Sequence, residues 1–425
     1  MPDAAAAYVE SMPPGRVELF SLSPLDRTGV ACWNALFLNA DGTRWHGVVP
    51  QGVGYGTENA GAIVGTTGEL AEAVHSAVQV WAMPRRVGSY AGLRGEMGER
   101  GVADPLTLCL PAGSPVDHET VLEWVPGRRW PGGETVWLPI DIAACSVGDL
   151  TAGYVPFTTP ITNGLGAGPT LDFAVGHGVC ELLQRDGNGL GFRAMDRGIV
   201  LDLGEGPEDA RTRAMLARFG ELGIEAIPKF ASDEFGVANV YCVGAEREGV
   251  AAPLPIMVTA AGEAASLDRE QALRKAVLEF AAARVRKAFS HAPLGRIAGV
   301  APAGYVERFR AYHSMLGEEG RSLREMQGWL RMGQTELVGL LRGSVLGRRE
   351  VKRFAELPRW EGPAGALPVR LPGEAAERLM AFAPPGRGGV PWLDVGEVDR
   401  IVGGLYPLYR EPEVHSAAIA VEGRG

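Results

Sequence analysis

Residues 162–186 read TNGLGAGPTLDFAVGHGVCELLQRD. A glycine-rich passage leads into apolar residues at helical spacing, which predicts a helix from about Leu171 to Arg185. That helix carries Glu181, with Gln184 three residues on, followed by Arg185 and Asp186. Two further stretches repeat the plan. Each follows a small-residue passage and sets a glutamate seven residues after an alanine: Ala62/Glu69, Ala174/Glu181 and Ala272/Glu279. Seven residues is about two helical turns, so both members of a pair share one face. The first helix adds Glu72, three residues after Glu69. That spacing brings two carboxylates to one side.

An E-x-x-E pair standing alone is usually a solvated helix face. Here Glu69, Glu72 and Glu181 run among Val64, Leu70, Val74, Val179, Leu182 and Leu183. A carboxylate in apolar company needs a partner. Magnesium is a suitable one, because it takes hard oxygen ligands and bridges carboxylates to phosphates. Arg185 and Arg284 offer planar guanidinium groups for phosphate oxygens. Glycine-rich turns would let backbone N–H groups approach an anion at a helix N-terminus.

Outward from these helices, strands are expected at 30–38, 45–49, 135–140, 198–203, 237–243 and 255–258. Helices are expected at 59–81, 208–222 and 268–287, with turns at 52–56 and 261–265 and a surface loop at 113–135. Residues 303–356 read as mainly helical. Interleaving without strict alternation places the chain in the α+β class. The expected organisation is a core over 1–300, a helical segment over 301–356, a Pro/Gly-rich loop or linker over 357–390, and a small unit with a tail over 391–425.

The motifs resemble those of the YcaO family. Residues 162–186 are similar to its glycine passage and E-x-x-E-R helix. Residues 54–72, GYGTENAGAIVGTTGELAE, resemble its G-K-G turn and S-x-x-E-x-x-E helix. Residues 272–284, ALRKAVLEFAAAR, resemble its R-A-x-x-E-x-x-x-x-R helix, and SPLDRTGV at 23–30 its entry strand. The resemblance implies mixed or antiparallel sheets with three glutamate-bearing helices lining an ATP cleft. It implies ATP and Mg2+ as cofactors, with Glu69, Glu72, Glu181 and Gln184 as magnesium ligands. Thr66, Arg185 and Arg284 become nucleotide contacts. The chain departs from the pattern at Tyr55 for lysine, Thr66 for serine, Ala73 for arginine, Phe173 for glutamate and Gln184 for glutamate.

The implied activity is ATP-dependent activation of a backbone amide in a ribosomally made precursor peptide. The product is an azoline or macroamidine, with ADP and phosphate released. The alternatives are thioamidation with a TfuA-like partner, or a non-catalytic scaffold for a precursor peptide or partner enzyme. Residues 417–425 carry no proline-rich tail, which fits a stand-alone enzyme. A homodimer is expected from the family.

Composition agrees with a globular chain. Of 425 residues 46% are hydrophobic and 22% charged, and the formal net charge of −10 provides no basic field for nucleic acid or an anionic membrane. Five scattered cysteines form no C-x-x-C pair, as reduced cytosolic thiols would. No apolar stretch reaches membrane-spanning length, and the N-terminus lacks the basic head and apolar core of a signal peptide. A cytoplasmic protein is therefore expected.

Overall fold

Three antiparallel strands, β1 (Arg16–Ser21), β2 (Ala31–Leu38) and β3 (Gln51–Gly56), form a first sheet in the order β1-β2-β3. The computed structural model describes residues 1–38, 49–108, 110, 114–129, 133–158, 160–188, 198–315 and 328–360. Positions 45–48 of the expected return strand fall outside them, and the chain returns instead through 51–56. That glycine-rich passage is a strand, not a turn. The helix α2 (Asn59–Ala82) lies directly on it: a Cβ on Gly54 would stand 2.1 Å from the Thr66 nitrogen. Glycine is there for close approach. The N-terminal helix α1 (Asp3–Ser11) packs across α2, with the Tyr8 ring against Gly68.

A small second sheet follows, β4 (Arg86–Ser89), β5 (Val121–Arg128) and β6 (Thr135–Pro139), with the short helices α3 (Tyr90–Met97) and α4 (Ile140–Ala143) beside it. The loop expected at 113–135 therefore contains a strand. Beyond α5 (Leu171–Asn188), the third sheet is built from β7 (Ile199–Asp202), β8 (Ile224–Ser232), β9 (Ala238–Glu246) and β10 (Ala261–Ser266), with helix α6 (Ala210–Glu221) between β7 and β8. Sequence reading misses β8 because Pro228 interrupts its pattern, although Pro228 pairs in register with Cys242. Residues 255–259 form a 3-10 turn with proline at its start, not the expected strand. The expected turn at 261–265 is β10.

The helix α7 (Arg269–His291) is buried on several sides. Leu273, Ala276, Val277 and Phe280 join the core under the third sheet, while Val285, Ala288 and Phe289 join the core under the first. A helix apolar on so much of its circumference belongs in an interior. Burying a side chain such as Phe280 or Leu273 contributes about 1.5–3 kcal/mol.

The chain continues through α8 (Leu294–Ala298), α9 (Tyr305–Met315) and α10 (Gln334–Arg342) to β11 (Glu350–Arg353). β11 pairs in parallel with β7, completing the order β10-β9-β8-β7-β11. Trp329, Leu337, Leu341 and Leu346 pack against Ile227, Tyr241 and Val243 of that sheet. Residues 328–356 are thus part of the core architecture rather than a separate helical segment. Residues 361–425, including most of the expected linker and the small last unit, lie outside the described residues. No helix among the described residues is long and apolar enough to cross a membrane.

Candidate functional site

The three alanine–glutamate helices prove to be three copies of one local construction. The Val53 N–H donates to Glu69 Oε2 at 2.7 Å, the Gly164 N–H to Glu181 Oε2 at 3.1 Å, and the Glu263 N–H to Glu279 Oε2 at 2.8 Å. Each glutamate therefore reaches back to the backbone of the segment that precedes its own helix. The close packing repeats as well. A Cβ on Gly166 would stand 2.1 Å from the Ala174 carbonyl oxygen, and one on Gly262 2.0 Å from the Phe280 nitrogen. β3 and β10 are edge strands, and these carboxylates cap part of their exposed backbone.

Further contacts join the copies. The Ala167 N–H donates to Glu72 Oε1 at 2.8 Å, so the passage 163–168 holds Glu181 of its own helix and Glu72 of α2. Arg185 pairs with Glu181 at 3.3 Å and with Glu263 of β10 at 3.5 Å. The expectation for this glycine passage is thereby revised. Its N–H groups at Gly164 and Ala167 hold carboxylates rather than standing open to a phosphate.

Glu69, Glu72, Glu181, Glu263 and Glu279 share one electrostatic neighbourhood with Arg185, Lys275 and Arg286. Glu69 is exposed to solvent although protein surrounds its carboxyl group on most sides. Burial pushes the Glu72 carboxyl up to about 7, against the Ala167 hydrogen bond, with Glu69 and Glu181 adding to the rise. Burial and then the Glu263 charge push Glu279 up to about 7. Burial also raises Glu69, against Arg286 and the Val53 N–H. For Arg185, burial opposes the charge, but Glu263, Glu181 and Glu279 more than offset it and raise its hold on the proton.

With all five carboxylates ionised, three cations leave an excess of two negative charges, which suits divalent cations. Among the described residues, no three His, Cys, Asp or Glu side chains converge closely enough to hold one ion. Magnesium in proteins is commonly held by one or two carboxylates, with the remaining positions left to water or phosphate.

The site residues expected from sequence divide into two groups. Glu69, Glu72, Glu181 and Arg185 come together. Thr66 and Arg284 serve elsewhere. Thr66 is fully buried; its Oγ1 accepts from the Gly54 N–H at 2.8 Å and donates to the Ala62 carbonyl at 2.7 Å, which locks β3 to α2. Arg284 is also fully buried, pairing with Asp26 at 2.9 Å and Glu246 at 2.6 Å. It braces the 23–27 turn, β9 and α7, so its two bonded edges are not free for phosphate. Gln184 is buried too, and its backbone carbonyl accepts from Asn239 Nδ2 at 3.1 Å.

Four members of the neighbourhood lie outside the site expected from sequence. Glu279 was visible in the alanine–glutamate spacing. Glu263 lies on a strand of small residues with no helical period, and Lys275 and Arg286 have no spacing signal. His177, half-buried on α5, is pushed down to about 4 by burial and then by Lys275, so it is uncharged at neutral pH.

A family profile described as YcaO cyclodehydratase, ATP- and Mg2+-binding, matches residues 53–331. Among solved structures, YcaO from Methanopyrus kandleri bound with AMPPCP and Mg2+ superposes with a TM-score of 0.53 at 23% identity, over 86% of this chain and 78% of that one. The two share a fold. A heterocyclase in complex with substrate and cofactor gives a TM-score of 0.49 at 19% identity, over 66% and 39%. An uncharacterized protein of Methanothermobacter thermautotrophicus is 29% identical over 182 residues, which is 43% of this chain and 45% of the relative. The match thus spans less than half of that relative's length.

Proposed function

This chain belongs to the YcaO family, and we propose that it activates a backbone amide of a ribosomally made precursor peptide, closing an azoline or a macroamidine. The observation that carries the reading is the triplicated tie between a helix-borne glutamate and the preceding backbone, with Glu181 and Glu279 near Arg185 and Glu69 near Glu181. The family is described as binding ATP and Mg2+. When bound, magnesium ATP supplies the phosphoryl group that turns an amide oxygen into a leaving group.

The chain's own residues then have defined tasks. Glu69, Glu72, Glu181, Glu263 and Glu279 would hold magnesium as charged carboxylates. Arg185, held beside Glu181 and Glu263, would offer its guanidinium fork to a phosphate oxygen. Fixed charges that need not reorganise supply most of what phosphoryl transfer requires. The nucleophile belongs to the peptide, so no side chain of this protein need be consumed.

Isothermal titration calorimetry with ATP, with and without Mg2+, tests the reading. Binding is expected only with magnesium, and Glu181→Gln is expected to weaken it at least about tenfold, or about 1.4 kcal/mol. A parent protein that binds no magnesium ATP would favour the scaffold reading and overturn catalysis.

A further inference from the structure

The helix α1 packs against α2, one of the helices that bear the acidic site, and contributes none of its carboxylates. Residues 3–11 precede the span that matches the family profile, 53–331. Two contacts fasten α1 in place. A Cβ on Gly68 would stand 3.5 Å from Tyr8 Cε2 and 3.9 Å from Tyr8 Oη, so the phenol ring rests on bare helix backbone. Further along α1, Ser11 Oγ donates to the Tyr8 carbonyl at 2.7 Å and stands 2.9 Å from His75 Nε2. Met12 then packs with Leu70 and Val74 of α2.

Gly68, Glu72 and His75 are spaced four and three residues apart, so they share one face of α2. The two contacts of α1 therefore bracket Glu72. The glycine passage holds the same side chain, for the Ala167 N–H donates to Glu72 Oε1 at 2.8 Å. Among the described residues neither Glu72 Oε2 nor the Tyr8 hydroxyl has a hydrogen-bond partner. Glu72 is also the charge that acts on the Tyr8 phenol. A phenol O–H is a donor, and an ionised carboxylate only accepts. The helix α1 thus brings an unused donor to a glutamate with an unused oxygen. Carboxylates that ligate metal ions are themselves hydrogen-bonded, and those bonds orient the ligand.

Resting on the proposed magnesium site, we infer that Tyr8 is a positioning residue, whose hydroxyl donates to Glu72 Oε2 and aims that carboxylate at a bound divalent cation. Glu72 is then clasped from two directions, by the glycine passage and by a helix outside the family-matched span.

Calorimetry with AMPPNP across a series of free Mg2+ concentrations tests this, on the parent, Tyr8→Phe, Glu72→Gln and the double variant. Tyr8→Phe is expected to need about tenfold more Mg2+ for half-maximal AMPPNP affinity, as loss of a ligand's hydrogen-bond partner does. It should melt at the parent's temperature without Mg2+. In the Glu72→Gln background the same substitution should change nothing further, because the two residues act as one unit. An unchanged Mg2+ requirement in Tyr8→Phe overturns the inference and leaves the nucleotide site standing. So does an equal loss in the Glu72→Gln background, or a lowered melting temperature with weaker binding at every Mg2+ level. A parent that binds no AMPPNP at any Mg2+ concentration overturns the nucleotide site itself, and this inference with it.

Discussion

The Glu263 N–H donates to Glu279 Oε2 at 2.8 Å, between residues sixteen positions apart in the chain. The same relation, at the same separation, links Val53 to Glu69. A strand and the helix after it are thus joined through a carboxylate. The fold and the site are the same contact seen at two levels, which governs what mutations should do.

Gly262→Ala should damage both levels. The added methyl would stand 2.0 Å from the Phe280 nitrogen and 2.2 Å from the Ala276 carbonyl oxygen, both helix backbone. Overpacking of this kind costs about 1–3 kcal/mol. A lower urea midpoint is expected, and magnesium ATP should bind more weakly in calorimetry because Glu279 moves with α7.

Thr66→Val should act on stability, chiefly through the lost acceptor for the Gly54 N–H. The replacement keeps the shape but removes the acceptor for the Gly54 N–H. A buried donor left unpaired costs about 1–3 kcal/mol. Thr66→Ser keeps the oxygen and should unfold nearer to the parent in the same denaturant titration. A nucleotide-binding threonine would instead show its effect in ATP affinity.

Arg284→Met should unfold the protein more readily than Glu181→Gln does. It strands Asp26 and Glu246 in a fully buried setting. Breaking a buried ion pair from one side costs about 3–5 kcal/mol. The order should reverse in magnesium ATP affinity of the folded proteins, with Glu181→Gln the more affected.

Lys287→Met should stabilise at neutral pH and lose its advantage in alkali. Burial, then the Arg286 charge, pushes Lys287 down to about 8. The unfolded chain holds that proton up to about 10.4. Between these values the unfolded state binds more protons, so the parent gains stability as pH rises through the window. Below about 8 the folded parent carries an unfavourable buried charge that methionine lacks. Scanning calorimetry should show a higher melting temperature for the variant at pH 7 and a shrinking difference by pH 10.

The helical period alone located α2, α5 and α7 and placed Glu69, Glu72 and Glu181 on them, because an amphipathic repeat is a local property of the chain. The resemblance of residues 162–186 to the YcaO family added the fold and the cofactors, both in keeping with the family match and the shared fold. The strands were harder to read. Residues 51–56 and 261–266 look like turns because they are small, yet smallness is what a strand needs when a helix presses on it.

What the sequence by itself determined is the identity of the acidic groups and the helices that bear them, since both follow from spacing along the chain. Only the tertiary structure decided their company. It brought Glu263 from a strand to Arg185 and Glu279, turned the glycine-passage amides toward carboxylates, and took Arg284 into the interior. Partners so far apart in sequence leave no periodic trace, because their meeting depends on how sheets and helices pack rather than on any local preference.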